Sequence, residues 1–170
     1  MALADVRGHQ AQAALMRAAL LGDRPGQAYL FAGPDGVGKA FFAVQLAKLL
    51  LCEAAGEDAC DACKACRQAD HDNHPDFLQV QAPEGKRFIT IDQIRALRDQ
   101  YALRPHGQRR VAIIRDADRM QQEAANALLK TLEEPPPWGM LFLTSSRPDS
   151  LPDTILSRCQ TLRFAPLSTE

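Results

Sequence analysis

The sequence has no excess of positive charge: 20 lysines and arginines face 21 aspartates and glutamates, for a net charge of −1. A chain that holds nucleic acid by its phosphates alone normally carries a basic surplus. Any contact with DNA therefore has to come from a local patch or from partner proteins. Long apolar runs are missing too, because charged residues interrupt every stretch that approaches the length of a bilayer span. The opening Met1-Ala2-Leu3-Ala4-Asp5 lacks the charged-then-apolar layout of an export signal. These two absences point to the cytoplasm. There is no internal repeat and no low-complexity tract, and 170 residues with 46% hydrophobic side chains suffice for one ordinary domain with a buried core.

What is present is an alternation. Strand-like apolar runs at Ala28–Ala32, Phe77–Gln81, Val111–Arg115, Leu141–Ser145 and Thr161–Phe164 are separated by segments with helical spacing. Those segments are Gly8–Leu21, Gly38–Leu51, Ile91–Leu103, Gln121–Glu133 and Asp153–Ser157. Strand and helix in turn predict a three-layer α/β fold with a five-stranded parallel sheet. Thr90 with Gln93 predicts a capping box ahead of Ile91. Pro135-Pro136-Pro137 ends the helix before it, since proline lacks the donor that a helix interior needs.

Gly33-Pro34-Asp35-Gly36-Val37-Gly38-Lys39-Ala40 follows a strand and opens a helix. In that context glycines allow a tight loop, backbone N–H groups and the lysine cradle phosphates, and the helix N-terminus favours an anion. The residue after the lysine is normally Ser or Thr, whose hydroxyl ligates Mg²⁺. Ala40 has only a methyl group there, and a hard cation takes oxygen ligands. A second magnesium position is expected at the end of Val111-Ala112-Ile113-Ile114, a continuously apolar run suited to a buried parallel strand. The run ends in Arg115, which would repel a cation; a one-residue slip would hand the role to Asp116, at the expense of reversing each side chain's face. Two degraded metal positions together speak against hydrolysis, and they leave open whether the loop still binds ATP or ADP.

Four of the five cysteines, Cys52, Cys60, Cys63 and Cys66, form C-x7-C-x2-C-x2-C. In a reducing compartment such clustering suggests a metal rather than disulfides. Four thiolates suit tetrahedral Zn²⁺ and leave no open position, so the site is expected to be structural, pinning a polar insertion over residues 52–72. An iron–sulfur cluster and a redox pair are the rival uses of these thiols. His71 and His74 read as surface or turn residues beside a completed shell, and Cys159 as a packed thiol.

Several stretches together resemble the bacterial clamp-loader subunits of the AAA+ family. They are Asn126-Ala127-Leu128-Leu129-Lys130-Thr131-Leu132-Glu133-Glu134-Pro135-Pro136, Ile155-Leu156-Ser157-Arg158-Cys159, and His74-Pro75-Asp76, with the cysteine cluster and phosphate loop in matching order. The resemblance covers essentially the whole chain. It implies an AAA+ P-loop-type domain over 1–165, with residues 166–170 starting the connection to the lid and collar domains of family members. Motor subunits of the gamma/tau kind keep the hydroxyl after the loop lysine and an acidic pair after the third strand; Ala40 and Arg115 depart from both. The non-hydrolysing delta-prime branch is the better match. By that resemblance the chain acts as a stator in a ring with gamma/tau and delta subunits, which loads the beta sliding clamp on primed DNA. Arg158 would be an arginine finger offered to a neighbour's ATP, where the residues alone suggest a helix-terminal arginine capping carbonyls. Gly33, Gly36, Gly38, Lys39, Ala40, Asp116 and Ser146 would form a degenerate nucleotide site, with Ser145 and Ser146 in the region of the first sensor.

Two other classes stand beside this reading. One is a gamma/tau-like motor ATPase with an unusual magnesium site, which would release phosphate by itself through Lys39. The other is a zinc-dependent nucleic-acid-binding module, whose DNA affinity would be salt-sensitive and lost on chelation. Only Lys64 and Arg67 lie near the cysteines as basic residues, which weighs against the module.

Overall fold

The computed structural model describes residues 1–54 and 56–167. Residues 168–170 of the expected linker, and Ala55 of the insertion, lie outside the described residues. Five parallel strands form one sheet: β1 (Ala28–Ala32), β2 (Phe77–Val80), β3 (Arg110–Ile114), β4 (Gly139–Ser145) and β5 (Gln160–Arg163). Their order across the sheet is β2-β3-β4-β1-β5. Among the described residues six α-helices accompany them: α1 (Gln10–Leu21), α2 (Lys39–Leu51), α3 (Lys64–Asp70), α4 (Ile91–Tyr101), α5 (Gln122–Glu133) and α6 (Asp153–Leu156). Among the described residues no helix is long and apolar enough to cross a membrane.

The central strands are apolar over Val111–Ile114 and Met140–Leu143 because both of their faces are covered. β3 and β4 are buried along their whole lengths. The period-two geometry of a strand sends alternate side chains to opposite layers. Tyr29, Phe31, Val111, Ile113, Met140 and Phe142 pack with α1 and α2. Leu30, Ala112, Ile114, Leu141 and Leu143 pack with α4, α5 and α6. The first layer is organised by aromatic rings: Phe31 lies 5.4 Å from Phe142, 5.4 Å from Phe42 and 5.7 Å from Phe164. Such pairs add about 0.5–1.5 kcal/mol each beyond area burial.

The capping box forms as its spacing predicts, with the Gln93 N–H on Thr90 Oγ1 at 3.3 Å and the Thr90 N–H on Gln93 Oε1 at 3.0 Å. Strand ends shift by a residue or two from the apolar runs. β3 starts at Arg110, whose N–H reaches the Trp138 carbonyl at 3.0 Å, and β5 starts at Gln160 opposite Tyr29. Helix α3, inside the cysteine segment, has no apolar period in the sequence to betray it.

Candidate functional site

The phosphate loop joins the C-terminal end of β1 to α2. Gly33 is needed for close approach, since a Cβ there would stand 2.5 Å from the Phe164 carbonyl oxygen. Gly38 caps α2 at φ +94°, a conformation that side chains other than glycine's rarely adopt. Lys39, the first residue of α2, is buried at 6% exposure and folds back so that Nζ donates to the carbonyls of Gly33 and Pro34, both at 2.7 Å. Burial holds its pKa below the usual lysine value against the opposing fields of Asp35, Asp116 and Asp118. A residue that sequence reasoning missed also clasps the loop. His9, 2% exposed, uses Nε2 to donate to the Val37 carbonyl at 2.8 Å, and its ring meets Phe164 edge-on at 4.8 Å. A separation of 28 positions leaves no local signal for that contact.

The residues after β3 include the second magnesium position expected from the sequence. Arg115 lies on the face of the sheet shared by Ile113 and its partner Gln79, as strand alternation predicts. It continues the ladder, its N–H on the Val80 carbonyl at 2.8 Å, and its Nε donates to Gln79 Oε1 at 2.9 Å, toward β2. Asp116 then adopts φ +51°. That left-handed residue turns the chain, and its N–H donates to Thr144 Oγ1 at 3.0 Å. Asp116 thus faces the lysine without a register slip. Ala117, which follows, is fully buried. The next carboxylate, Asp118, accepts from Ser145 Oγ at 2.7 Å, and Ser145 is buried too. Asp35, Asp116, Asp118, Ser146 and Arg147 line a cleft of about 230 Å³, smaller than the roughly 300–1,000 Å³ of drug-sized ligand pockets. Gly33, Gly36, Gly38, Lys39, Ala40, Asp116 and Ser146 therefore gather at one end of the sheet.

The cysteines gather elsewhere, at the far end of α2, about 20 Å along the helix axis from Lys39. The Sγ atoms of Cys52, Cys60, Cys63 and Cys66 all lie within 4.8 Å of one another. Four sulfurs about 2.3 Å from a tetrahedral zinc would stand roughly 3.8 Å apart, and Cys63 Sγ is 4.0 Å from Cys52 Sγ. Backbone N–H groups already point at the sulfurs: those of Cys60 and Ala54 at Cys52, of Cys63 at Cys60, and of Cys66 at Cys63, at 3.3–3.5 Å. Burial raises the Cys63 pKa, but the N–H groups of Glu53 and Cys66 and the adjacent thiols outweigh it and bring Cys63 down to about 6. Cys66 is pushed up to about 12, first by burial and then by its neighbouring thiols. Cys63 thus forms a thiolate readily, whereas Cys66 holds its proton unless a cation stands beside it. The donor set could hold a metal ion and fits a closed zinc site. His71 is an exposed residue at the end of α3 and His74 a half-buried turn residue whose Nδ1 accepts from the Asp76 N–H at 3.0 Å.

Two buried charges missed by the sequence reading hold this region in place. Lys48 on α2 is fully buried and pairs with Asp61, between two of the cysteines, and with Asp70 at 2.9 Å. Asp76, 2% exposed, accepts from the N–H groups of His106 and Gly107, both at 2.8 Å, and from Arg110 Nη2 at 3.2 Å. These donors hold its carboxyl below the usual range although burial opposes them.

Arg158 stands apart from both clusters. It precedes β5, whose first residue pairs with Tyr29, so it lies level with the start of β1, whereas the phosphate loop follows the end of β1. A strand of that length separates them by about 13 Å or more. Its Nη1 donates to the Thr154 carbonyl at 2.8 Å, the carbonyl-capping contact expected of a helix-terminal arginine. Cys159 is half-buried and burial pushes its thiol up to about 11, as a packed thiol requires.

A parallel five-stranded sheet, covered on both faces and carrying a phosphate loop after β1, defines a P-loop-type nucleotide-binding domain, here with a cysteine quartet added behind α2. The chain belongs to the family described as DNA polymerase III, delta subunit, which matches residues 8–168. Curated relatives include the DNA polymerase III subunit delta' of Bacillus subtilis, 44% identical over 148 residues, covering 85% of this chain and 44% of that protein. The delta' subunit of Pseudomonas aeruginosa is 41% identical over 134 residues, covering 78% and 41%. The tau subunit of B. subtilis is 35% identical over 168 residues, covering 98% and 29%. Identity is thus higher to the delta' proteins, and the chain spans less than half the length of these relatives. A DNA polymerase III gamma subunit-related protein of Thermotoga maritima has the same fold at a TM-score of 0.63, with 27% identity, covering 92% of this chain and 46% of that one.

Proposed function

We propose that the chain is the P-loop-type domain, residues 1–165, of a non-hydrolysing clamp-loader subunit. It stands in a cytoplasmic ring with gamma/tau and delta subunits and lends Arg158 to the ATP of a neighbouring motor. Through the assembled ring it helps place the beta sliding clamp on primed DNA. The observation that carries this reading is the division of the chemistry between two ends of one sheet. At the chain's own loop, Ala40 supplies no oxygen for magnesium, Arg115 departs from the acidic pair of the motor subunits that the chain resembles, and Lys39 is satisfied by the loop's own carbonyls. At the opposite end, Arg158 is exposed and cannot serve that loop. The quartet Cys52, Cys60, Cys63 and Cys66 would hold a structural Zn²⁺, which supplies cross-linking and no catalysis.

A guanidinium stays charged at any physiological pH and can donate two parallel hydrogen bonds to phosphoryl oxygens. As bonding to the leaving phosphate loosens, charge builds on those oxygens, and a fixed cation lowers the barrier. Supplied in trans, such a group is worth about 10³–10⁵ in rate. The full-length subunit should release no phosphate from ATP alone. In the assembled loader, Arg158→Ala should cut hydrolysis at the adjoining site about 10³-fold while the ring still forms. Steady hydrolysis by the isolated subunit, lost on Lys39→Ala, would establish the motor reading instead.

A further inference from the structure

We propose that Glu133 is the positioning residue of Arg158, an inference that rests on the finger role just described. Helix α5 ends at Glu133, and Pro135-Pro136-Pro137 prevents it from continuing. The carboxylate is therefore carried on a fixed helix terminus. An acid in the last turn is electrostatically disfavoured by the carbonyl ends gathered there, unless a cation stands against it. Arg158 is that cation, with Nη2 3.2 Å from Glu133 Oε1. On its other side, Nη1 donates to the Thr154 carbonyl of α6 at 2.8 Å and lies 3.4 Å from Ser157 Oγ. The guanidinium so bridges the ends of two helices.

Arg158 lines a cavity of about 110 Å³ together with Gln27, Thr131, Tyr101 and Gln160, which leaves room beside its side chain. Its side chain is 35% exposed and that of Glu133 is 49% exposed, which keeps the pair weak enough to share the guanidinium with an incoming anion. A guanidinium has five N–H donors, and those not turned to Thr154, Ser157 and Glu133 remain for a phosphate. Glu133 thus aims the finger by charge and touches no substrate itself.

Glu133→Gln keeps the shape and removes the charge. In the full loader, with the other motor sites disabled, single-turnover hydrolysis at the adjoining site should fall about two- to fivefold at unchanged KM for ATP. The wild-type advantage should shrink as salt rises. In the full-length subunit alone, the NMR signals of ¹⁵Nε-labelled Arg158 should show a more mobile guanidinium in the variant. If Arg158→Ala abolishes hydrolysis at that site but Glu133→Gln changes neither rate nor mobility, the positioning role is overturned and the finger stands. If Arg158→Ala has no effect, both readings fall.

Discussion

The two ends of helix α2 make an instructive contrast. Its first residue, Lys39, belongs to a loop built for phosphate, and its C-cap, Cys52, belongs to a four-thiol cage. At the first end the glycines, helix terminus and lysine of a phosphate loop are present, and Ala40 offers a methyl group where a hydroxyl normally ligates magnesium. At the second end the donor set is complete, and backbone N–H groups already support the sulfurs. If the loop does not hydrolyse ATP, as proposed, the difference teaches that a ligand loop outlasts its chemistry as architecture, because Phe164, His9 and the loop's own carbonyls hold it shut. A metal-bound cage would have no such fallback, since its thiolates would be its architecture.

Three measurements would break or sharpen that contrast. The largest effect should follow chelation or Cys63→Ser. Metal binding to sites of this kind supplies on the order of 10 kcal/mol to folding, so the melting temperature should fall by about 10 °C or more. Amide protection should be lost over residues 56–71, while the strands keep theirs. A sample with no bound metal and an unchanged melting curve would show that the cage is not structural. A smaller effect, about 3–5 kcal/mol, is expected of Asp76→Asn, which leaves Arg110 buried without its counter-charge. Here the sign with pH is defined. The folded carboxyl of Asp76 lies below its ordinary value of 3.8, so its stabilisation is present above that pH and is lost as pH falls through the folded value. The gap between wild type and variant in thermal melts should close in acid, below about pH 4; a gap constant down to pH 2 would contradict the pairing. The smallest effect is expected at the loop. Ala40→Ser restores one oxygen but neither the acidic pair nor a free Lys39, so stability should move by no more than about 0.5 kcal/mol, with no phosphate released by the subunit alone. Turnover appearing in that single variant would mean the loop had kept everything else it needs.

Much of this was readable from residue order. The alternation of apolar runs with helical spacing matches the sheet and five of the six helices, and the phosphate loop and capping box lie where their short motifs fall. Helix α3 escaped because its seven residues carry a cysteine spacing and no apolar stripe. Arg115 keeps the strand alternation, on the face of Ile113 and Gln79. The left-handed turn at Asp116 depends on the Thr144 hydroxyl, 28 positions away, that receives its N–H. Lys48 carries no motif of its own in the sequence, and only in the fold do Asp61 and Asp70 close over it.

What residue order settled by itself is whatever depends on side-chain type at short spacing: which strands are buried, which loop can cradle phosphate, which four sulfurs can share a cation. Only the folded chain decided which groups face one another across long separations. It shut Lys39 onto its own loop, brought His9 to Val37, joined Arg158 to Glu133, and set Arg158 a strand's length from the chain's own phosphate loop. Those outcomes rest on the parallel topology, which carries segments remote in sequence to the same end of the sheet or to opposite ends, and no local pattern encodes that distance.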